Sequence, residues 1–92
     1  MTRMHNPPHP GEVIREYLRE ATITDAARAL GVSRTTLQRV VNGAADVPAD
    51  MAHRLAAAFN TSAEVWAGMQ MQYDLHRSEK IKRPRIGRLL AA

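Results

Sequence analysis

The stretch Ile23–Gly43, ITDAARALGVSRTTLQRVVNG, predicts a helix, a glycine turn and a second helix. Apolar residues recur at helical spacing in both halves: Ala26, Ala27 and Leu30, then Leu37, Val40 and Val41. Gly31 lies between the halves, where a left-handed residue ends a helix without a Cβ penalty. Ser33 is a good N-cap for the helix that follows. The small side chain of Ala27 allows two helices to cross closely.

The outward face of the second predicted helix is polar and partly basic. It carries Arg34, Thr35, Gln38 and Arg39, side chains that can reach the edges of DNA bases. Two helices joined in this way form a helix-turn-helix, the motif whose second helix enters the major groove. A purely structural helix pair would need only the apolar spacing. The cap, the glycine turn and the polar face together favour DNA binding.

Composition predicts one small all-α domain. The chain has 92 residues, and no alternating run of Val, Ile and Thr predicts a strand. Cysteine is absent, which excludes disulfides and thiolate metal sites and suits a reducing cytoplasm. No signal peptide or membrane-spanning segment is visible, because charged residues interrupt every apolar stretch. We therefore expect a cytoplasmic protein with no membrane partner.

The positive charge is concentrated at the C-terminus. The net charge is +4, from 13 Lys and Arg against 9 Asp and Glu. Six of the basic residues lie in 77–92 beside one acid, Glu79, so the preceding part has 7 basic and 8 acidic residues, a net of −1. The segment HRSEKIKRPRIGRLLAA has three interpretations: a disordered basic terminus, an element that tracks the DNA backbone, or a contact for a protein partner through Ile86, Leu89 and Leu90.

Three further helices flank the helix-turn-helix. The first is predicted to begin at Pro10, a favourable first-turn residue, and Thr22 with Asp25 resembles a capping box for the second. Pro48 with Asp50 opens the fourth, and Thr61 or Ser62 caps the fifth. Five helices are therefore expected, in a domain over 9–76, between a flexible leader over 1–8 and a basic tail over 77–92.

The fifth helix carries more apolar area than one small domain needs. Trp66, Met69 and Tyr73 recur at core-like spacing with Met71 nearby. A homodimer contact is one outlet for such a surface, and two copies would suit a palindromic site. Trp66, Met69 and Tyr73 are thus both core candidates and dimerisation candidates.

Enzyme activity is not expected. There are no paired carboxylates in a plausible cleft, no glycine-rich phosphate loop and no nucleophile motif. His5 and His9 are four residues apart, but the prolines around them forbid the regular helix that a metal pair would need. No metal and no cofactor are predicted.

Four segments together resemble a known family: HPGE at 9–12, AARALGVSRTTLQRVVNG at 26–43, DMAHRLAAAF at 50–59, and TSAEVW with MQYDL between 61 and 75. They are similar to HigA-type antitoxins of the Cro/repressor-like (XRE) helix-turn-helix family. The resemblance implies a five-helix Cro/repressor-like fold and a homodimer that represses its own operon at a palindromic double-stranded operator. It also implies neutralisation of a RelE/HigB-like toxin that cleaves mRNA.

The resemblance also implies DNA contacts from the start of the third helix. By position these contacts fall on Ser33, Arg34, Thr35, Thr36, Gln38, Arg39 and Asn42. Two positions depart from the family pattern: Ile23 stands where a phosphate-binding Gln is common, and Pro48 where a hydroxyl cap is common. A stand-alone or phage-type repressor without a toxin partner shares the same DNA chemistry and remains the alternative.

Overall fold

The computed structural model describes residues 6–90, in which five helices and no strand are present. The helices are α1 (Pro10–Leu18), α2 (Ile23–Leu30), α3 (Arg34–Val41), α4 (Ala49–Phe59) and α5 (Ala63–Ser78). The all-α, five-helix prediction is confirmed. His5 and most of the predicted leader lie outside the described residues.

One core gathers side chains from all five helices and from the loop before α4. Its buried members are Ile14, Ala26, Ala27, Leu30, Leu37, Val40, Val41, Val47, Met51, Ala52, Leu55 and Trp66. Both halves of the helix-turn-helix therefore bury the apolar faces that their spacing predicted. Burial at about 25 cal/mol per Å² of apolar surface is the main force that holds such a small domain together.

The helix starts follow the predicted caps. Thr22 and Ser33 each accept a hydrogen bond from the backbone N–H three residues on, at 3.0 Å. Ser62 does the same for α5, at 3.2 Å. Thr61 has a different task, because its Oγ1 accepts the Trp66 indole N–H at 2.8 Å. Pro48 precedes α4 without a side-chain cap, as its chemistry requires.

The segment that opens α1 is built for close approach. The backbone N–H of Gly11 donates to His9 Nδ1 at 2.9 Å, so His9 acts as the N-cap. A Cβ on Gly11 would lie 2.1 Å from the carbonyl oxygen of Val40 and 2.9 Å from that of Val41. Only glycine lets the first turn of α1 rest on the last turn of α3. His9 therefore has a structural role at the start of α1.

Helix α5 closes the core from the other side. Trp66 has no exposed surface and packs edge-to-face with Tyr17 and at a tilt against Phe59, with ring centroids 5.3 and 5.8 Å away. The prediction that Trp66 contacts a second copy is therefore wrong for the side chain itself, because its own chain covers it completely. Met69 and Tyr73 are half-buried, so part of each side chain remains accessible to a second copy.

The end of α5 lies two residues beyond the predicted domain boundary at 76. Helical bonding continues to Ser78, and Arg77 supports this last turn by donating to Asp74 Oδ1 at 3.1 Å. Arg77 and Ser78 thus belong to the helix, and the tail begins after them. Residues 81–90 are exposed and do not form a helix themselves.

We predict that Gly11→Ala destabilises the fold by about 1–3 kcal/mol, because the added methyl group meets backbone carbonyls that cannot move aside. Urea unfolding at one fixed protein concentration measures the difference. Gly68→Ala in α5 is the matched control, since nothing lies within 4 Å of its Cβ position. That change should stabilise the helix by about 0.5–1 kcal/mol. Equal stability of the Gly11 variant and the wild type would show that α1 does not depend on this contact.

Candidate nucleic-acid interface

Helix α3 separates its residues cleanly into two faces. Leu37, Val40 and Val41 point into the core with at most 4% of their surface exposed. The opposite face lines a shallow depression formed by Arg34, Thr35, Gln38, Arg39, Asn42 and Ala44. Five of the seven predicted DNA contacts therefore share one surface. The remaining two, Ser33 and Thr36, lie at the start of the same helix and are exposed.

Ser33 and Thr36 are bound to each other. Ser33 Oγ accepts the backbone N–H of Thr36 at 3.0 Å and donates to Thr36 Oγ1 at 2.8 Å. This reciprocal pair holds the first turn of α3 in a fixed geometry. It also leaves the Thr36 hydroxyl proton outside the pair, so that this group keeps a hydrogen bond to donate. The partial positive charge of the helix N-terminus lies at the same end.

The other end of α3 is ordered around Asn42. Its Oδ1 accepts hydrogen bonds from Gln38 Nε2 and from Arg15 Nη2, both at 3.2 Å. With the oxygen occupied by two donors, the amide NH₂ is the group that Asn42 retains for an anion such as a phosphate. Arg15 also approaches the Val41 carbonyl, at 3.4 Å. Arg15 is a member of the site that sequence reasoning missed, because α1 and α3 are far apart in the chain.

Arg39 is held loosely. Its Nη2 reaches the Ala44 carbonyl oxygen at 3.5 Å, at the outer limit of a hydrogen bond. Little free energy is lost when the guanidinium leaves this position for a base or a phosphate. Arg39 is exposed, as is Arg34 at the other end of the depression.

Arg54 of α4 secures the turn between α2 and α3. Its Nη1 donates to the carbonyl oxygens of Leu30 at 2.8 Å and of Gly31 at 3.2 Å. Its Nε donates to Asp50 Oδ2 at 2.7 Å. Gly31 itself has φ of 73°, in the left-handed region predicted for it. Sequence reasoning missed Arg54 as well: the spacing of Asp50 and Arg54 indicates a surface ion pair, and not a bond to a turn 23 or 24 residues away.

The two departures from the family pattern have simple structural consequences. Ile23 is half-buried and packs against the core, so its side chain offers no polar group to a phosphate. Thr22 beside it uses its hydroxyl oxygen as the cap of α2. The first residue of α2 therefore presents no side-chain amide to an anion.

Outside α3, the described residues offer little other site chemistry. Within 6–90 no group of three or more His, Asp or Glu side chains could hold a metal ion. No helix in that range is long and apolar enough to cross a bilayer. A shallow groove beside α5 has a mainly apolar lining that includes Val47, Ala67, Met71 and Leu75.

Comparison with known proteins agrees with this geometry. The helix-turn-helix family matches residues 14–66. The virulence-associated protein A' of Dichelobacter nodosus is 45% identical over 76 residues, which cover 79% of this chain and 66% of that protein.

Two solved structures from Pseudomonas aeruginosa are also similar. A protein in complex with its 18-bp operator DNA is 40% identical, with a TM-score of 0.77 and 82% of both chains covered. The antitoxin HigA, solved with the higBA promoter, is 36% identical, with a TM-score of 0.76, 88% of this chain and all of that chain covered. The chain therefore belongs to the XRE-type helix-turn-helix family of DNA-binding regulators, and its resemblance to HigA-type antitoxins is confirmed.

We predict that Arg54→Met, which keeps the length of the stem, lowers the free energy of unfolding by about 1–3 kcal/mol, since two carbonyls lose a charged donor. Asp50→Asn is the control, because it removes only the exposed ion pair and should cost less than about 1 kcal/mol. Urea unfolding of both variants at one protein concentration gives the comparison. Equal losses of unfolding free energy in the two variants would show that the ion pair, and not the link to the turn, stabilises the fold.

Proposed function

We propose that this protein is the antitoxin of a type II toxin–antitoxin pair. Residues 9–76 form the DNA-binding domain, which represses the operon of the pair as a dimer on a palindromic operator. The same protein neutralises a RelE/HigB-like toxin that cleaves mRNA. The observation that carries the DNA-binding part is the outer face of α3, where five predicted contacts line one depression.

The proposed roles on α3 follow from the chemistry of each side chain. Arg34 and Arg39 can take guanine O6 and N7 in a fork or bind a phosphate. Thr35, Thr36 and Gln38 suit thymine methyl groups and adenine edges. The Asn42 amide, with its oxygen already occupied by Gln38 and Arg15, donates to a phosphate at the edge of the groove.

A dimer would place two copies of α3 about one DNA turn apart, roughly 34–36 Å. The face of α5 supports this part of the proposal. Met71 and Leu75 are 63% and 48% exposed, an unusual surface for large apolar side chains that line one groove. Met69 and Tyr73 are the half-buried residues of the same helix, and Trp66 holds that helix on the core from within.

Substitutions on α3 test the DNA contacts. A specific site is first selected from random duplexes with the full chain. Arg34→Ala, Thr35→Ala and Arg39→Ala should then each weaken binding to that site by about 1–3 kcal/mol, roughly 5- to 150-fold, wherever a base contact is lost. Fluorescence anisotropy at one salt concentration measures the affinities. Wild-type affinity in all three variants would show that α3 does not bind in the major groove.

Arg34→Lys is the matched control for charge. Lysine keeps the positive charge but lacks the planar fork that binds guanine through two hydrogen bonds. If Arg34 recognises a base, this variant keeps most of its affinity for random DNA and loses preference for the selected site. If it binds only a phosphate, the preference is kept.

The toxin part of the proposal is tested separately, by purifying the tagged protein from its native cell. We expect a small basic ribonuclease to co-purify in a defined ratio. After separation in denaturant and refolding, that protein should cleave mRNA, and adding this chain back should stop the cleavage. Recovery of DNA without any protein partner would favour the plain repressor instead.

A further inference from the structure

Residues 80–90 form a strongly basic segment outside the helices. The sequence KIKRPRIGRLL contains five basic residues and no acidic one. All eleven residues are exposed, and none belongs to a regular helix. Pro84 disfavours a helix around its own position, because it lacks a backbone N–H and clashes with the preceding turn.

The start of this segment is bound to the end of α5. Arg83 Nη2 donates to the Ser78 carbonyl oxygen at 2.9 Å, and its Nη1 donates to that of Ile81 at 3.0 Å. The guanidinium thus folds back on the end of α5 and binds the Ser78 carbonyl oxygen, which also accepts the Ile81 backbone N–H at 3.1 Å. These bonds fasten the start of the basic segment to the end of α5.

The starting point of the segment is close to the end of α3. Arg77 Nη2 lies 4.0 Å from Asp46 Oδ2, and Asp46 is four residues after Asn42. Ile81 shares a groove with Val47, in the loop between α3 and α4, and with Ala49, the first residue of α4. The basic segment therefore departs beside the loop that follows the DNA-reading helix, and not from a remote side of the domain.

Charge and length both fit an additional contact with DNA. The part of the chain before residue 77 has 7 basic and 8 acidic residues, a net of −1, so it gains little from long-range attraction to a polyanion. Residues 82–90 span about 30 Å when extended, close to the rise of one turn of DNA, roughly 34 Å. Each phosphate that a basic side chain neutralises releases counterions and adds affinity without reading sequence.

We propose that residues 80–90 are a second DNA-binding element, which binds the phosphate backbone flanking the half-site that α3 occupies. The inference rests on the proposed function, since it takes α3 as the element in the groove. The tail supplies affinity and salt dependence, and α3 supplies sequence preference. A protein partner would use the apolar side chains of the same segment instead, Ile86, Leu89 and Leu90.

The experiment compares three full-length variants with the wild type. The first, Lys82→Gln/Arg85→Gln/Arg88→Gln, removes three exposed charges and leaves the capping Arg83 in place. The second, Lys82→Arg/Arg85→Lys/Arg88→Lys, keeps every charge. The third, Ile86→Ser/Leu89→Ser/Leu90→Ser, removes the apolar surface and keeps the charges.

Affinity is measured between about 50 and 200 mM salt. Two duplexes centred on the selected site are used, one of about 18 bp and one of about 40 bp with flanking DNA.

On the longer duplex, the Gln variant should bind at least about tenfold more weakly than the wild type. The slope of log affinity against log salt should become less steep by about 0.9 for each lost phosphate contact, and so by up to about 2.7 for all three. Its relative preference for the selected site over random DNA should be unchanged. The loss should be smaller on the short duplex, and the two other variants should match the wild type.

An unchanged salt slope and affinity in the Gln variant, with a wild type that still prefers its selected site, would overturn the tail proposal and leave the proposed function standing. A loss of affinity in the Ser variant alone would also overturn it. If no site can be selected at all, the proposed function fails, and the salt slope on random DNA still decides whether the tail binds phosphates. Equal urea midpoints of all four proteins would exclude misfolding as the cause of any difference.

Discussion

The position of α3 depends on the close contact between the first turn of α1 and the last turn of α3 at Gly11. No other residue type fits, because a Cβ there would lie 2.1 Å from the Val40 carbonyl oxygen. Arg15, one turn further along α1, holds the same end of α3 through Val41 and Asn42. An isolated helix of eight residues is not stable in water. Helix α3 therefore owes its existence and its direction to these tertiary contacts.

The other end of α3 is held through the turn that precedes it. Arg54 binds the carbonyl oxygens of Leu30 and Gly31, and Ser33 with Thr36 closes the first helical turn. Helix α3 is thus supported at both ends while its outer face stays open. Such preorganisation lowers the entropy cost of DNA binding, since the helix backbone and the side chains of Ser33, Thr36 and Asn42 are already ordered.

Helix α5 links the core to the surfaces proposed for partners. On its inner side, Trp66 packs with Tyr17 and Phe59, and Gln70 Oε1 accepts the buried N–H of Val47 at 2.7 Å. This bond ties α5 to the loop after α3. Its outer side presents Met71 and Leu75, and its end starts the basic segment. One helix therefore connects the proposed dimer face and the basic segment to the loop beside α3, the helix proposed to bind in the DNA groove.

The sequence by itself determined the five helices, the caps of α2 and α3, the glycine turn and the polar face of α3. These features depend on local spacing and on side chains that bond to backbone three or four residues away, such as Thr22 and Ser33. Residues 9–12 were also recognisable as a family landmark, but their physical role was not.

The tertiary structure decided which polar side chains hold the site in place and which apolar ones are left for a partner. Arg15 and Asn42 are 27 residues apart, Arg54 and Leu30 are 24, and Gln70 and Val47 are 23. No helical period relates such positions, so these bonds become visible only when the helices are packed. Trp66 shows the same limit for the core: its spacing is compatible with a core or a dimer face, and only packing against Tyr17 and Phe59 decides that its own chain buries it.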